Sequence, residues 1–191
     1  HAASVGEVQA AEPLIRALLA QWPAASITVS TQSLTGAQQL RQHWGAQVQH
    51  LFLPIDTPGA TARFLDRLQP RLLVLIEREL WPELLLQCRQ RSIPVALVNA
   101  RLSERSAQTY QRFHALMRPV WNQLALVACA DKPSRERPAG LGVPAHRLME
   151  TGNLKFDLPI GTALPPSLDW LASRSAVLVA GSTHEGEESA L

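Results

Sequence analysis

The chain has 191 residues, 46% hydrophobic and 18% charged, with a net charge of +2. That is enough apolar chain for one full domain and part of a second, and the charge is too small to argue for nucleic acid as a partner. No run is long or apolar enough to suggest a membrane span or a signal peptide, and the two cysteines, Cys88 and Cys129, lack CxxC or Cys/His metal spacing.

The chain opens at His1 without an initiator Met and stops at Leu191 just after an apolar run, so it is expected to be an internal piece of a longer protein. A small-residue loop, His1-Ala2-Ala3-Ser4-Val5-Gly6-Glu7, leads into a helix expected over 8–22, with a stripe at Leu14, Ile15, Leu18, Leu19 and Trp22 and, because of Pro13, a kink or restart at Glu12. Small residues beside a helix start let a ligand approach backbone N–H groups; an ordinary tight turn is the other reading. The β-branched stretch 26–30 reads as a strand, 37–44 as helix, and 48–53 as a strand ended by Pro54. Thr57 and Pro58 supply the N-cap and first position of a helix over 59–68.

The stretch that organises the chain comes next. Leu72-Leu73-Val74-Leu75-Ile76 reads as a strand buried on both faces, and Leu80, Leu84, Leu85 and Cys88 form one face of a helix with Pro82 in its first turn. Glu77 and Glu79 then stand at the carboxyl end of a strand, where open α/β sheets place ligands. A strand over 94–98 precedes Asn99-Ala100-Arg101-Leu102-Ser103, and Ser103 caps a helix reaching about 116. A short helix over 118–124, a strand over 124–130, a helix over 135–141 broken by Pro138 and Gly140, and a strand over 147–151 complete the pattern. Pro159, Gly161, Pro165 and Pro166 mark a linker. Residues 176–180 read as a buried strand opening into a turn that starts at Gly181.

Strand and helix alternate throughout, which implies a Rossmann-like parallel sheet with helices on both faces. No GxGxxG, Walker loop, GxSxG or HExxH is present, so dehydrogenase, P-loop and serine-hydrolase readings lose their usual support. In a parallel sheet the loops 4–7, 77–79, 99–103 and 153–155 share one rim, and a cleft there holds Glu7, Glu77, Arg101 and Lys155. A carboxylate among cations suits group transfer onto a hydroxyl from an anionic donor. The bland alternative has Glu7 serving a helix dipole and Glu79 pairing with a surface Arg. His184 with Glu185, Glu187 and Glu188 reads as a solvated first helical turn rather than a metal site.

Five ordered blocks carry a resemblance: His1-Ala2-Ala3-Ser4-Val5-Gly6-Glu7, Glu77-Arg78-Glu79-Leu80-Trp81-Pro82, Asn99-Ala100-Arg101-Leu102-Ser103, Gly152-Asn153-Leu154-Lys155-Phe156-Asp157 and Gly181-Ser182-Thr183-His184-Glu185-Gly186-Glu187-Glu188. In this order they resemble the 3-deoxy-D-manno-octulosonic acid (Kdo) transferases of lipopolysaccharide synthesis, with Arg78 standing where a small polar residue is expected. The resemblance implies a GT-B glycosyltransferase of two Rossmann-like domains. Residues 1–157 would be the N-terminal, acceptor-side domain missing its first strand, 158–168 a linker, and 169–191 the start of the nucleotide-sugar-binding domain.

The implied reaction moves Kdo from CMP-Kdo to the lipid A precursor (lipid IVA), with inversion. It needs no metal and no cofactor, CMP-Kdo being a co-substrate. By motif, Glu7 resembles the general base, and Glu77 and Lys155 resemble groups that stabilise an oxocarbenium-like transition state. Ser4, Gly6, Glu79, Arg101, Ser182, Thr183 and His184 fall at substrate-binding positions. The implied place is the cytoplasmic face of the bacterial inner membrane, peripheral or N-terminally anchored, with membrane contact through segments outside these residues, and the piece alone is expected to be inactive. The alternatives are another GT-B enzyme such as a nucleotide-sugar epimerase, or a non-catalytic Rossmann-like binding module.

Overall fold

The computed structural model describes residues 1–158 together with Leu168, Trp170, Ser173, Arg174, Ala176, Val177, Gly181, Thr183, His184 and Gly186. The chain divides into two compact units, His1–Leu158 and Pro159–Leu191.

In the first unit α1 (Val5–Gln21) leads to β1 (Thr28–Thr31), α2 (Leu34–Trp44), β2 (Gln49–Phe52) and α3 (Pro58–Leu68). Then follow β3 (Leu73–Ile76), α4 (Pro82–Gln90), β4 (Val95–Ala100), α5 (Glu104–Arg112) and α6 (His114–Trp121). The unit ends with β5 (Leu126–Cys129), α7 (Lys132–Gly140), β6 (Leu148–Glu150) and a 3-10 turn over Leu154–Asp157. Every ladder is parallel: β1 pairs with β2, and β3-β4-β5-β6 form a continuous sheet.

Residues 1–3 join the two ladders. The His1 backbone nitrogen donates to the Val74 carbonyl (2.6 Å) and the Ile76 N–H to the His1 carbonyl (3.1 Å), a parallel pairing with β3. On the other side the Ala2 N–H donates to the Ser30 carbonyl (2.9 Å) of β1. The spatial order is therefore β2, β1, residues 1–3, β3, β4, β5, β6. From residues 1–3 the chain first builds outward through β1 and β2, then crosses to β3 and builds the other way. The switch point lies between residues 1–3 and β3, and doubly wound sheets open their ligand crevice there.

Alternation along β3 shows that both faces are covered. Leu75 belongs to an apolar cluster with Leu84, Leu97, Trp121 and Val127, while its neighbour Ile76 belongs to one with Val8, Ile15, Val29 and Leu40. Each fully buried leucine contributes roughly 1.5–3 kcal/mol. Cys88 and Cys129 are free and buried, and burial pushes both thiols up to about 11.

Helix starts follow local chemistry. Ser33, Ser103 and Asp131 accept at 3.1, 3.2 and 2.7 Å from the N–H groups of Gly36, Ser106 and Ser134, respectively. At α4, where Trp81 cannot cap, Asp56 reaches over from the loop after β2 and accepts from Glu83 N–H (3.1 Å) and Leu84 N–H (2.8 Å). Thr57 occupies the N-cap of α3 but makes no side-chain cap bond.

Some expected elements differ. α1 runs unbroken through Pro13, because the carbonyl left without its partner belongs to exposed Gln9 and is free to meet water. The helix expected from Ser103 to about 116 breaks at exposed Phe113; α5 then stays on the surface while α6 turns Val120 and Trp121 inward. α7 is a full helix from Lys132, started by the Asp131 cap and a proline in its first turn, with Pro138 tolerated near the end. β4 extends past Val98 to Ala100, with a register shift between those residues. Of the strand expected over 176–180, Ala176 and Val177 are exposed and in no strand; its other residues lie outside the described ones. The linker residues Pro159, Gly161, Pro165 and Pro166 also lie outside them.

Candidate functional site

The carboxyl ends of residues 1–3, β3, β4 and β6 bring polar groups to the switch point. At β3, Glu77 follows Ile76 with φ +62°, and at β4 Asn99 has φ +55°. For residues other than glycine this left-handed backbone costs on the order of 1–3 kcal/mol each. The two strained residues are tied together: Glu77 N–H donates to the Val98 carbonyl (2.9 Å), and Arg101 N–H donates to the Glu77 carbonyl (3.2 Å). These bonds around the bulge aim the Glu77 side chain out of the sheet's carboxyl edge.

Glu77 is half-buried, and its Oε1 lies 2.9 Å from Lys155 Nζ. Asn99 Nδ2 donates to the same oxygen at 3.4 Å. Lys155 sits on the 3-10 turn after β6, whose start is held by Asn153 accepting from the Lys155 N–H (3.2 Å). An ammonium carries three donors, so a pair with Glu77 leaves partly exposed Lys155 with donors for a further anion.

Glu7 lies in the first turn of α1, which packs against the turn bearing Lys155. Its Oε2 accepts from the Ala3 N–H (2.6 Å) and its Oε1 from the Ser4 hydroxyl (3.2 Å). Burial pushes the Glu7 carboxyl above its usual range, and the charges of Glu79 and Glu77 add to this; the Ala3 and Ser4 bonds act the other way. Glu7 therefore feels two further carboxylates at this rim. Ser4 is the N-cap residue of α1, and a Cβ built on Gly6 would meet nothing within 4 Å, so the helix start is open to a ligand.

Glu79 does not pair with a surface arginine. It accepts from Trp81 Nε1 (2.9 Å), and its Oε2 lies 3.7 Å from Nε2 of His1, whose side chain is fully buried. That separation is beyond a hydrogen bond but within ion-pair reach. The His1 imidazole beside it, opposed by burial, holds the Glu79 carboxyl below the ordinary range. The His1 Nδ1 faces the Ser30 carbonyl at 3.0 Å, so the ring spans β1 and the loop after β3.

Arg101 is exposed and shares a small cleft with Glu77, Arg78, Ser106, Tyr110 and Trp121. Thus Glu7, Ser4, Gly6, Glu77, Glu79, Arg101 and Lys155 all lie at the sheet rim predicted from sequence. Thr183 and His184 fall in the second unit, and Ser182 lies outside the described residues. Two contributors escaped the sequence reading: His1 beneath Glu79 and the side chain of Asn99. For Asn99 the signal was a polar residue inside the apolar run of β4. Among the described residues no group of three His, Cys, Asp or Glu side chains could hold a metal, and no helix is long and apolar enough to cross a membrane.

The fold is shared with enzymes of nucleotide-sugar chemistry. A UDP-GlcNAc 2-epimerase from Neisseria meningitidis superposes with a TM-score of 0.61 at 15% identity over 81% of this chain and 46% of its own. A putative UDP-N-acetylglucosamine 2-epimerase from Listeria monocytogenes gives 0.64 at 14%, over 89% and 50%. At that identity the likeness concerns fold alone, and it supports the Rossmann-like, GT-B-type reading. Sequence similarity is far closer to other proteins. The 3-deoxy-D-manno-octulosonic acid transferase of Haemophilus influenzae is 42% identical over 98% of this chain and 45% of its own length. The Bordetella pertussis enzyme of the same name is 37% identical over the same shares. The chain thus spans about half the length of these relatives. The family described as 3-deoxy-D-manno-octulosonic-acid transferase (kdotransferase) matches residues 1–158, the unit that carries the rim, and the chain belongs to that family.

Proposed function

We propose that the full-length protein transfers Kdo from CMP-Kdo to the lipid A precursor with inversion at the anomeric carbon, and that Glu7 is the general base. The supporting observation is the pairing of environments at the switch point: a half-buried carboxyl, Glu7, pushed above its usual range, beside an ion pair of Glu77 and Lys155 at 2.9 Å. Glu7 takes the proton of the acceptor hydroxyl. The acceptor oxygen bonds to the anomeric carbon while the bond to the CMP phosphate breaks, and the electron pair leaves with CMP. Positive charge developing on the sugar ring is offset by Glu77. Lys155 steadies the Kdo carboxylate or the departing phosphate and supplies, without metal or cofactor, the positive charge the step requires.

Ser4, Gly6, Glu79 and Arg101 line the acceptor side in this reading. Residues 158–168 are in this reading a linker and 169–191 the start of the nucleotide-sugar-binding domain, with Ser182, Thr183 and His184 as substrate-binding residues. Membership of the family supports a reaction at the membrane, which this reading places on the cytoplasmic face of the inner membrane.

The test compares the full-length wild type with Glu7→Gln, following CMP release from CMP-Kdo with and without a lipid A precursor. Wild type should turn over only with acceptor, and Glu7→Gln should remain folded while losing rate about 100-fold or more. A wild type that ignores CMP-Kdo removes the reaction; a Glu7→Gln variant with full rate leaves Glu7 as a helix-end charge.

A further inference from the structure

Asn99 is completely buried, yet both ends of its amide are engaged with the rim. Its Oδ1 accepts from the Leu154 N–H at 3.2 Å, and its Nδ2 points to Glu77 Oε1 at 3.4 Å. The partners fix the orientation of the amide, since one is a donor and the other a carboxylate. The side chain therefore bridges the ends of β3 and β4 to the turn that carries Lys155. Its backbone sits at φ +55° inside the register shift of β4, a conformation in which Asn, Asp and Gly are most at home.

Two donors thus converge on one oxygen of Glu77: Lys155 Nζ at 2.9 Å and Asn99 Nδ2. We propose that Asn99 is a positioning residue, bridging Glu77 and the Leu154–Lys155 backbone so that Oε1 is held inward and Oε2 is presented to the reacting sugar. The proposal rests on the transferase reading above. It assigns to an uncharged residue the task of keeping the Glu77–Lys155 pair in one geometry without adding charge. The amide is suited to this because the neighbourhood is already crowded with charge. Lys155 meets Glu77 from the turn after β6, the charges of Glu77 and Glu79 both reach Glu7 on α1, and Arg78 and Arg101 line the Glu77 cleft.

Asn99→Asp separates positioning from folding. It keeps the size, the backbone preference and the acceptor for the Leu154 N–H, but sets a second carboxylate against Glu77. In the full-length protein kcat at pH 8 should fall at least about tenfold with the KM for CMP-Kdo little changed, and the deficit relative to wild type at the same pH should shrink as the pH falls and a proton settles between the two carboxylates. Asn99→Gly also tolerates the backbone angle. It removes the amide without adding charge, so kcat should fall at every pH with no acid-side recovery. Thermal midpoints for both variants show which are folded; if only Asn99→Gly is, a lowered kcat at unchanged KM upholds the role and an unchanged kcat ends it. An Asn99→Asp profile that overlays an active wild type overturns the positioning role alone. A wild type that releases no CMP overturns the transferase reading and this role with it.

Discussion

The starts of α1 and α7 each set a carboxylate on a nearby backbone N–H, with opposite electrostatic results. Asp131, the N-cap of α7, accepts forward from Ser134 at 2.7 Å, while Glu7, in the first turn of α1, accepts backward from Ala3 at 2.6 Å. The Asp131 carboxyl is held below its usual range, first by its bonds to Ser134, and it is exposed. The Glu7 carboxyl is pushed above its range, first by burial, with Glu79 and Glu77 adding to the rise. The hydrogen bonds lower both carboxyls; at Asp131 they dominate, whereas at Glu7 burial and neighbouring negative charge outweigh them. At the edge of the rim the motif fastens a helix. At the switch point it leaves a carboxyl held above its usual range, the group proposed above as the general base.

That contrast is sharpest if the pair beside Glu7 is broken. Lys155→Met keeps the length of the side chain and removes its charge, leaving half-buried Glu77 without its cation. CMP release by the full-length variant should fall by roughly 100- to 1000-fold, measured under single turnover so that product release does not mask it. A variant within about threefold of wild type would show that Lys155 only neutralises Glu77.

The residues involved explain why some of this was legible in the sequence and some was not. The apolar run of β3, with Pro82 opening the next helix, needed only local pattern, and so did the shared rim of a parallel sheet. Glu7 and Glu77 stood out as carboxylates at strand ends for the same reason. Lys155 stood out with them, but the side-chain contacts of Asn99 and His1 did not. Asn99 reaches Leu154 across 55 residues, and the ring of His1 meets Glu79 only when residues 1–3 lie between β1 and β3. Local propensity misplaced the break at Phe113 as well, because the turn there is set by the burial of Val120 and Trp121. Proline in α1 was over-weighted, since the lost bond falls on the water side.

A smaller effect tests the charge coupling itself. Glu79→Gln preserves an acceptor for Trp81 Nε1 but removes one of the two negative charges that raise Glu7. With a weaker pull upward, the Glu7 carboxyl should ionise at lower pH, so the acid limb of kcat/KM moves toward acid, whatever the plateau loses through the place of Glu79 on the acceptor side. The sign has a stability counterpart. A raised carboxyl disfavours the folded state once ionised, so the full-length Glu79→Gln variant should lose less stability than wild type as the pH climbs through the Glu7 value. An acid limb that stays in place would mean that Glu7 is not the group whose ionisation limits the rate.

The smallest expected effect lies at the other helix start. Asp131→Ala removes the N-cap of α7 and should cost about 1 kcal/mol, read as a lowered thermal midpoint and faster amide exchange at Ser134. The sign of its pH dependence is opposite to that of Glu7. The lowered folded-state value of Asp131 means that its contribution is complete above the unfolded value of 3.8 and is lost as the pH falls through the folded one, so wild type and variant should converge in acid. CMP release by the full-length variant should match wild type. A loss of rate of about tenfold, or about 1.4 kcal/mol in the barrier, would join Asp131 to the same charge network as Glu7 and Glu77. In that case the division between carboxylates that fasten helices and carboxylates that move protons would have to be drawn by distance from the switch point rather than by burial.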